Sequence, residues 1–445
     1  METALIILAA GKGTRMKSDR PKVLHELAGA PLLHHAMRAG SALSPARIVI
    51  VAGHEAEAVK ASALSLDPDA QTALQTEQLG TGHAVLQART ALEGFEGDVI
   101  VMFADTPFVS PQTLQAMARA RRDHAVVVLG FEAADPARYG RLLMQGDTLE
   151  RIVEFKDASP DERAITLCNS GVVAADAKTL FDLLDDVTND NAAGEYYLTD
   201  IVGLARARGL SATTVICDEA ETLGVNSRAD LAAAEAAFQT KARADLLEAG
   251  VTMTAPDTVF LSLDTAIGPD TTIEPNVVFA PGVTVENGAV IRAFSHLEGT
   301  HISSGAVIGP YARLRPGAEI AEGAKVGNFV EIKNAEIASG AKVNHLTYIG
   351  DASIGENANI GAGVVTCNYD GVSKHRTEIG ARAFIGSSTM LVAPVKVGDE
   401  AMTASGSVIT SDVPEGDLAL GRARQTNKPG LARKLFARLR AAKKD

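Results

Sequence analysis

The 445-residue chain has no tryptophan, three cysteines and only 4% aromatic residues. Each scarcity removes a class of protein. Cys168, Cys217 and Cys367 are odd in number and far apart, which speaks against a disulfide framework or a cysteine-held metal and predicts free thiols in a reducing compartment. The opening apolar run, residues 4–10, breaks at Gly11. It is too short to span a bilayer and lacks the basic flank of a cleavable leader, so a cytoplasmic protein with no membrane span is expected. Bases are outnumbered, 42 to 55, for a net charge of −13; nucleic acid is not expected as a partner, because phosphate neutralisation needs a basic face. Small anionic substrates stay open, since a local site can be basic within an acidic chain. The 46% hydrophobic fraction excludes disorder, and the length suffices for two or three domains. Glycine is plentiful, at forty residues, which suggests a core partly built from small and β-branched side chains in a repetitive stretch.

Residues 1–228 alternate short apolar strands, at 3–9, 47–52, 98–103 and 125–130, with amphipathic segments. That alternation predicts an α/β domain on a Rossmann-like, mostly parallel sheet. Residues 229–249 are rich in Ala, Glu, Leu and Lys, without Pro or Gly, and predict one linker helix with Ser227 or Asn226 as its cap.

In residues 250–445 aliphatic residues recur every sixth position. The series runs from Leu261 through Ile273, Val285 and Leu297, slips by one residue to Ile302, slips again between Ile332 and Ile337, and ends at Val397. A sustained hexad is neither the three-and-four stripe of an α-helix nor simple alternation; it is the period of a parallel β-helix, with one strand and one turn per six residues. Glycine often follows the aliphatic residue, as in Ile308-Gly309, Ile349-Gly350, Ile354-Gly355, Ile379-Gly380 and Ile385-Gly386. Such glycines are expected at tight turns with unusual backbone angles.

The hexad lapses for longer between Ile360 and Ile379, where Thr366-Cys367-Asn368-Tyr369-Asp370-Gly371 is expected to project from the coil as an insertion. After Gly421 the tail, residues 422–445, carries nine basic residues and one acid and is expected to be solvated.

Chemistry-bearing residues appear in both halves. Leu8-Ala9-Ala10-Gly11-Lys12-Gly13-Thr14-Arg15-Met16 follows the first strand, with Pro21-Lys22 close behind. Small residues let backbone N–H groups approach phosphate oxygens, while Arg15 and Lys22 supply positive charge. The spacing is neither the dinucleotide fingerprint nor the P-loop. Asp105 ends an apolar strand, at the sheet edge where α/β proteins bind ligands, although a turn aspartate before Thr106-Pro107 is the alternative.

The stretch from Leu8 to Met16 with Pro21-Lys22 resembles the signature of sugar-nucleotide pyrophosphorylases. Further matches follow in order at Gln75, Gly80-Thr81-Gly82, Phe103-Ala104-Asp105, Tyr139-Gly140-Arg141, Glu154-Phe155-Lys156, Asn169-Ser170-Gly171 and Gly224-Val225-Asn226. With the hexad half, nearly the whole chain resembles a family of bifunctional enzymes of bacterial cell-wall precursor synthesis. The resemblance implies acetylation of glucosamine-1-phosphate by acetyl-CoA on a left-handed β-helix. UMP would then pass from UTP to N-acetylglucosamine-1-phosphate, releasing pyrophosphate, with Mg²⁺ as cofactor.

It also implies that Leu8, Ala9, Ala10, Gly11, Gln75, Gly80 and Thr81 hold the nucleotide, Gly140, Glu154 and Asn169 the sugar, with Phe103 and Ala104 also in the substrate-binding set. Asp105 and Asn226 would hold the metal, with Arg15 and Lys22 catalytic. Ala104 stands where glycine is expected in many relatives.

In the coil, His345 is by itself better explained by a structural role than by a catalytic one. The resemblance implies that it is the acetyl-transfer base. Arg315, Lys333, Tyr348 and Asn359 would hold the aminosugar phosphate, with Asn368 and Tyr369 beside that group and acetyl-CoA. Ala362, Ser387, Ser405 and Arg422 would contact acetyl-CoA, Ser405 replacing an expected alanine, and Glu331 would orient the amine or imidazole. Arg315 and Lys333 are eighteen residues apart, three hexads, which predicts stacking on successive turns of a three-sided coil. The resemblance further implies a homotrimer. The competing readings are a single-activity nucleotidyltransferase with a structural or regulatory coil, and a non-catalytic assembly subunit.

Overall fold

The computed structural model describes residues 2–443; Met1, Lys444 and Asp445, the last two belonging to the basic tail, lie outside it. Contacts divide the chain into two units that meet between Thr240 and Lys241.

The first unit is built on a nine-stranded sheet. Its central strand, Glu2–Ala9, pairs in parallel with Arg47–Ala52 and Gly97–Phe103, so these three end at one edge, with Leu8 opposite Phe103 and Ala9 opposite Ala52. Leu167–Asp176 runs antiparallel between Gly97–Phe103 and Val126–Glu132, which makes the sheet mixed. Apolar residues on successive positions of a strand point to opposite faces. Ala4, Ile6 and Leu8 enter one core, while Leu5, Ile7 and Ala9 enter the other. Both faces are therefore covered by helices, as a sheet with continuous apolar strands requires.

The linker helix runs Arg228–Glu248. Ser227 is its cap: the Ser227 hydroxyl accepts from the Asp230 N–H at 3.2 Å, and the Asp230 carboxylate accepts from the Ser227 and Asn226 N–H groups. The Asn226 side chain is thereby left for other use.

The second unit is a left-handed parallel β-helix. Its aliphatic hexad points inward almost without exception, from Leu261 to Val397. Two expectations are corrected. The hexad does not lapse directly after Ile360, because Thr366 occupies the next inward slot with no exposed surface and bonds through its hydroxyl to Gly350. Its strand is Val365–Cys367, so the projecting insertion begins only at Asn368. A polar inward residue hid the period. Similarly, the glycine after each aliphatic is needed for close approach and, apart from Gly309, not for unusual angles. At Gly386 a Cβ would lie 2.5 Å from the Ser405 nitrogen of the next coil.

Left-handed backbone falls elsewhere, at a corner that includes Phe294, Tyr311, Phe329 and Leu346. The three rings form an exposed stack, with centroids 4.9 Å and 5.1 Å apart. Part of the tail is ordered as the helix Leu431–Ala442, none of whose residues is buried.

Candidate functional site

The edge shared by the three central strands opens into a cleft of about 330 Å³. Leu8, Ala9, Ala10, Gly11, Lys22, Gln75, Gly80, Thr81, Phe103 and Asp105 line it, joined by Gln78 and Glu195, which sequence reading missed. Gln75 follows its strand through a bond from its N–H to the Ala52 carbonyl, and its side-chain amide donates to the Gly80 carbonyl at 3.2 Å. The Gln78 amide ties the glycine loop down by donating to the Ala10 carbonyl. Ala104 is wholly buried behind the cleft, its N–H on the Leu8 carbonyl. Gly13 has a φ of 58°, and a Cβ there would come within 2.6 Å of the Lys22 side chain, so the loop needs glycine to fold over Lys22.

Lys22 is the centre of this site. Its ammonium contacts the Asp105 carboxylate and lies 3.1 Å from Asn226 Oδ1. Two residues 121 positions apart thus aim oxygens at one cationic point. That donor set, one carboxylate and one amide oxygen, fits a hard divalent ion, whose remaining ligands would be phosphate oxygens. Among the described residues, no cluster of three or more His, Cys, Asp or Glu side chains offers another metal site. Arg15 stands exposed on the short turn Thr14–Met16 and is not part of the cleft lining.

Gly140, Glu154 and Asn169 are brought together. The Asn169 N–H donates to the Gly140 carbonyl at 2.9 Å, and a Cβ on Gly140 would lie 3.4 Å from a Glu154 carboxylate oxygen. Burial pushes the Glu154 carboxyl above the usual carboxylate range, with Asp200, Asp157 and Glu195 adding to the effect; the Thr199 hydroxyl, donating at 3.2 Å, opposes it.

On the coil, strand register aligns a column at one corner. Asn328 is paired with His345, and the column continues as the Gly363 N–H donates to the His345 carbonyl, that of Ser388 to Ala362 and that of Gly406 to Ser387. His345, Ala362, Ser387 and Ser405 therefore occupy successive turns of one corner. The spacings of 17, 25 and 18 residues concealed this from sequence reading. His345 Nδ1 lies 2.8 Å from Asn328 Oδ1. Arg422 is exposed just past the last coil.

Arg315 and Lys333 do stack, since Leu314 pairs with Ile332 in the ladder and the Arg315 N–H donates to the Ile332 carbonyl. The Arg315 guanidinium also bonds Glu331 at 2.7 Å. Lys374, unforeseen because it lies in the insertion, sits against Lys333 and holds its pKa below the ordinary lysine value, with Arg315 adding to the effect. The Asn368 amide reaches the Tyr348 hydroxyl at 3.5 Å and also contacts Asp351. Tyr369 is exposed, its hydroxyl donating to the Gly371 carbonyl. Asn359 is not brought to this group: its strand pairs with Lys342 and Phe384 on another ladder.

Residues 5–171 match the MobA-like NTP transferase domain, and residues 264–299 and 299–334 match the bacterial transferase hexapeptide repeats. The class is thus a nucleotidyltransferase joined to a hexapeptide acyltransferase. The bifunctional protein GlmU of Ruegeria sp. (strain TM1040) is 73% identical across 100% of this chain and 99% of its own. The proteins of that name from Ruegeria pomeroyi and Jannaschia sp. are 71% and 68% identical, over 100% and 99% of this chain and 98% and 97% of theirs. The chain belongs to this GlmU family, in which one polypeptide is both UDP-N-acetylglucosamine pyrophosphorylase and glucosamine-1-phosphate N-acetyltransferase. No helix among the described residues is long and apolar enough to cross a membrane.

Proposed function

We propose that the cleft at Lys22 binds UTP and N-acetylglucosamine-1-phosphate, and that the coil corner headed by His345 binds acetyl-CoA and glucosamine-1-phosphate. Residues 1–228 carry the first reaction, residues 250–445 the second, and 229–249 link them. The observation that carries the acetyl-transfer assignment is the column in which small residues at Ala362, Ser387 and Ser405 lead away from His345, a track for an extended thioester cofactor ending near Arg422.

In acetyl transfer the amine attacks the thioester carbonyl, forming the C–N bond and breaking the C–S bond, and coenzyme A leaves as the thiol, receiving the proton that the base took from the amine. An amide oxygen only accepts hydrogen bonds, so Asn328 keeps the proton on His345 Nδ1 and leaves Nε2 to take the proton from the amine. Arg315, Lys333 and Lys374 hold the sugar phosphate, and Tyr348 and Asn368 border it. Ser387 donates to the developing oxyanion. Tyr369, exposed on the insertion, is assigned to acetyl-CoA; Asn359 lies on another ladder within one chain and joins the site through assembly, and the exposed Phe294-Tyr311-Phe329 stack is a stripe of the kind an oligomer buries. Both observations support a homotrimer with shared acetyl sites.

In uridylyl transfer a phosphate oxygen of the sugar attacks the α-phosphorus of UTP, and pyrophosphate leaves. Mg²⁺, when bound at Asp105 and Asn226, supplies charge neutralisation. Lys22, displaced from that pair, and Arg15 meet the phosphates, the loop at Leu8–Gly11 offers backbone N–H groups, and Gln75 reads the uracil edge. Glu154 and Asn169 face the acetamido sugar beside Gly140. The three free thiols support a cytoplasmic site of action. The test is a coupled reaction with glucosamine-1-phosphate, acetyl-CoA, UTP and Mg²⁺, its products identified by mass. UDP-N-acetylglucosamine should form only when all are present; its absence would overturn the reading.

A further inference from the structure

Neither reaction uses the helix Leu431–Ala442, and the arrangement of its side chains is specific. At about 100° per residue, its four large apolar residues, Leu431, Leu435, Phe436 and Leu439, fall with Ala432 and Ala442 in one arc of roughly 140°. Leu435, Phe436 and Leu439 are 51%, 61% and 65% exposed. Basic residues border the arc on both sides, Arg433 and Arg440 along one edge and Lys434 and Arg438 along the other. The pole opposite holds only Ala437 and Ala441, and the helix contains no acid. Arg422, Arg424 and Lys428 precede it, so a chain with 55 acidic residues concentrates positive charge at this end.

Cations along both borders of an apolar arc, with nothing charged at the far pole, match a bilayer surface. There the arc enters the acyl boundary, the border residues sit at the height of the lipid phosphates, and their aliphatic stems lie along the apolar zone while the charged ends reach the phosphates. The alternative cover is the exposed ring stack, and the oligomeric state of the aspartate variant tests that alternative. We propose that the helix Leu431–Ala442 is a reversible anchor that lies in the headgroup layer of an anionic bilayer with Leu431, Leu435, Phe436 and Leu439 turned inward.

The test is flotation of the full-length protein with vesicles of phosphatidylcholine, with and without phosphatidylglycerol. The protein should float with the anionic vesicles at low salt, stay behind with phosphatidylcholine alone, and be released by high salt. Leu435→Asp with Leu439→Asp should abolish flotation, and Arg433→Gln with Arg440→Gln should weaken it about 25-fold, at roughly five-fold for each basic residue. Failure of the wild type to float at low salt, or equal flotation of the aspartate variant, overturns the proposal. A drop in oligomeric state of the aspartate variant without lipid also overturns it, because the face is then covered by another copy of the chain.

Discussion

His345 Nδ1 lies 2.8 Å from the side-chain oxygen of Asn328, its ladder partner on the preceding coil. The pair sets the proton arrangement of the proposed base. His345→Ala should lower kcat for acetyl transfer roughly 10²–10⁴-fold, with a smaller change in aminosugar binding, which the cations dominate. Steady-state kinetics on the folded variant check this.

Asn328→Asp places a carboxylate beside the imidazole and favours its protonated form. Since the base must be neutral, the acid limb of the pH–rate profile should move to higher pH. An unmoved limb would show that another group titrates there.

Asp105→Ala should abolish UDP-sugar formation while acetyl transfer stays near normal, because the two sets of site residues lie in different contact units. Separate assays of both reactions decide it; equal loss in a folded protein would contradict separable sites.

Glu154 carries a consequence for stability. Its carboxyl is raised by burial, so the folded state holds this proton more tightly than the unfolded chain does, and stability falls as pH rises from the ordinary carboxylate range through the raised value. Glu154→Gln should remove that loss and raise the melting temperature at alkaline relative to acidic pH, while weakening selection of the N-acetylated sugar. Thermal scans across pH and competition between the two sugar phosphates measure the two effects.

Burial pushes the Cys217 thiol up to about 12 and also raises Cys168 and Cys367. Thiolate is the reactive form, so alkylation of the native protein near neutral pH should be slow and become rapid on denaturation, as mass spectrometry of labelled protein would show.

Local pattern alone determined the two architectures. Short continuous apolar strands alternating with amphipathic segments mark a sheet buried on both faces, the hexad marks the inward side of a coil, and each core residue carries that information in its own position. The glycine loop and Asp105 were legible for the same reason, being at the end of a strand. The tertiary structure decided what depends on coil register and long-range closure. Thr366 fills an apolar slot because its hydroxyl bonds within the coil, Lys374 reaches Lys333 only through the insertion, and unequal coil lengths hide the column from Asn328 through His345 to Ser405. Lys22, Asp105 and Asn226 meet because Ser227 takes the helix cap and leaves the Asn226 side chain to face the cleft, a choice between two adjacent residues that composition does not make.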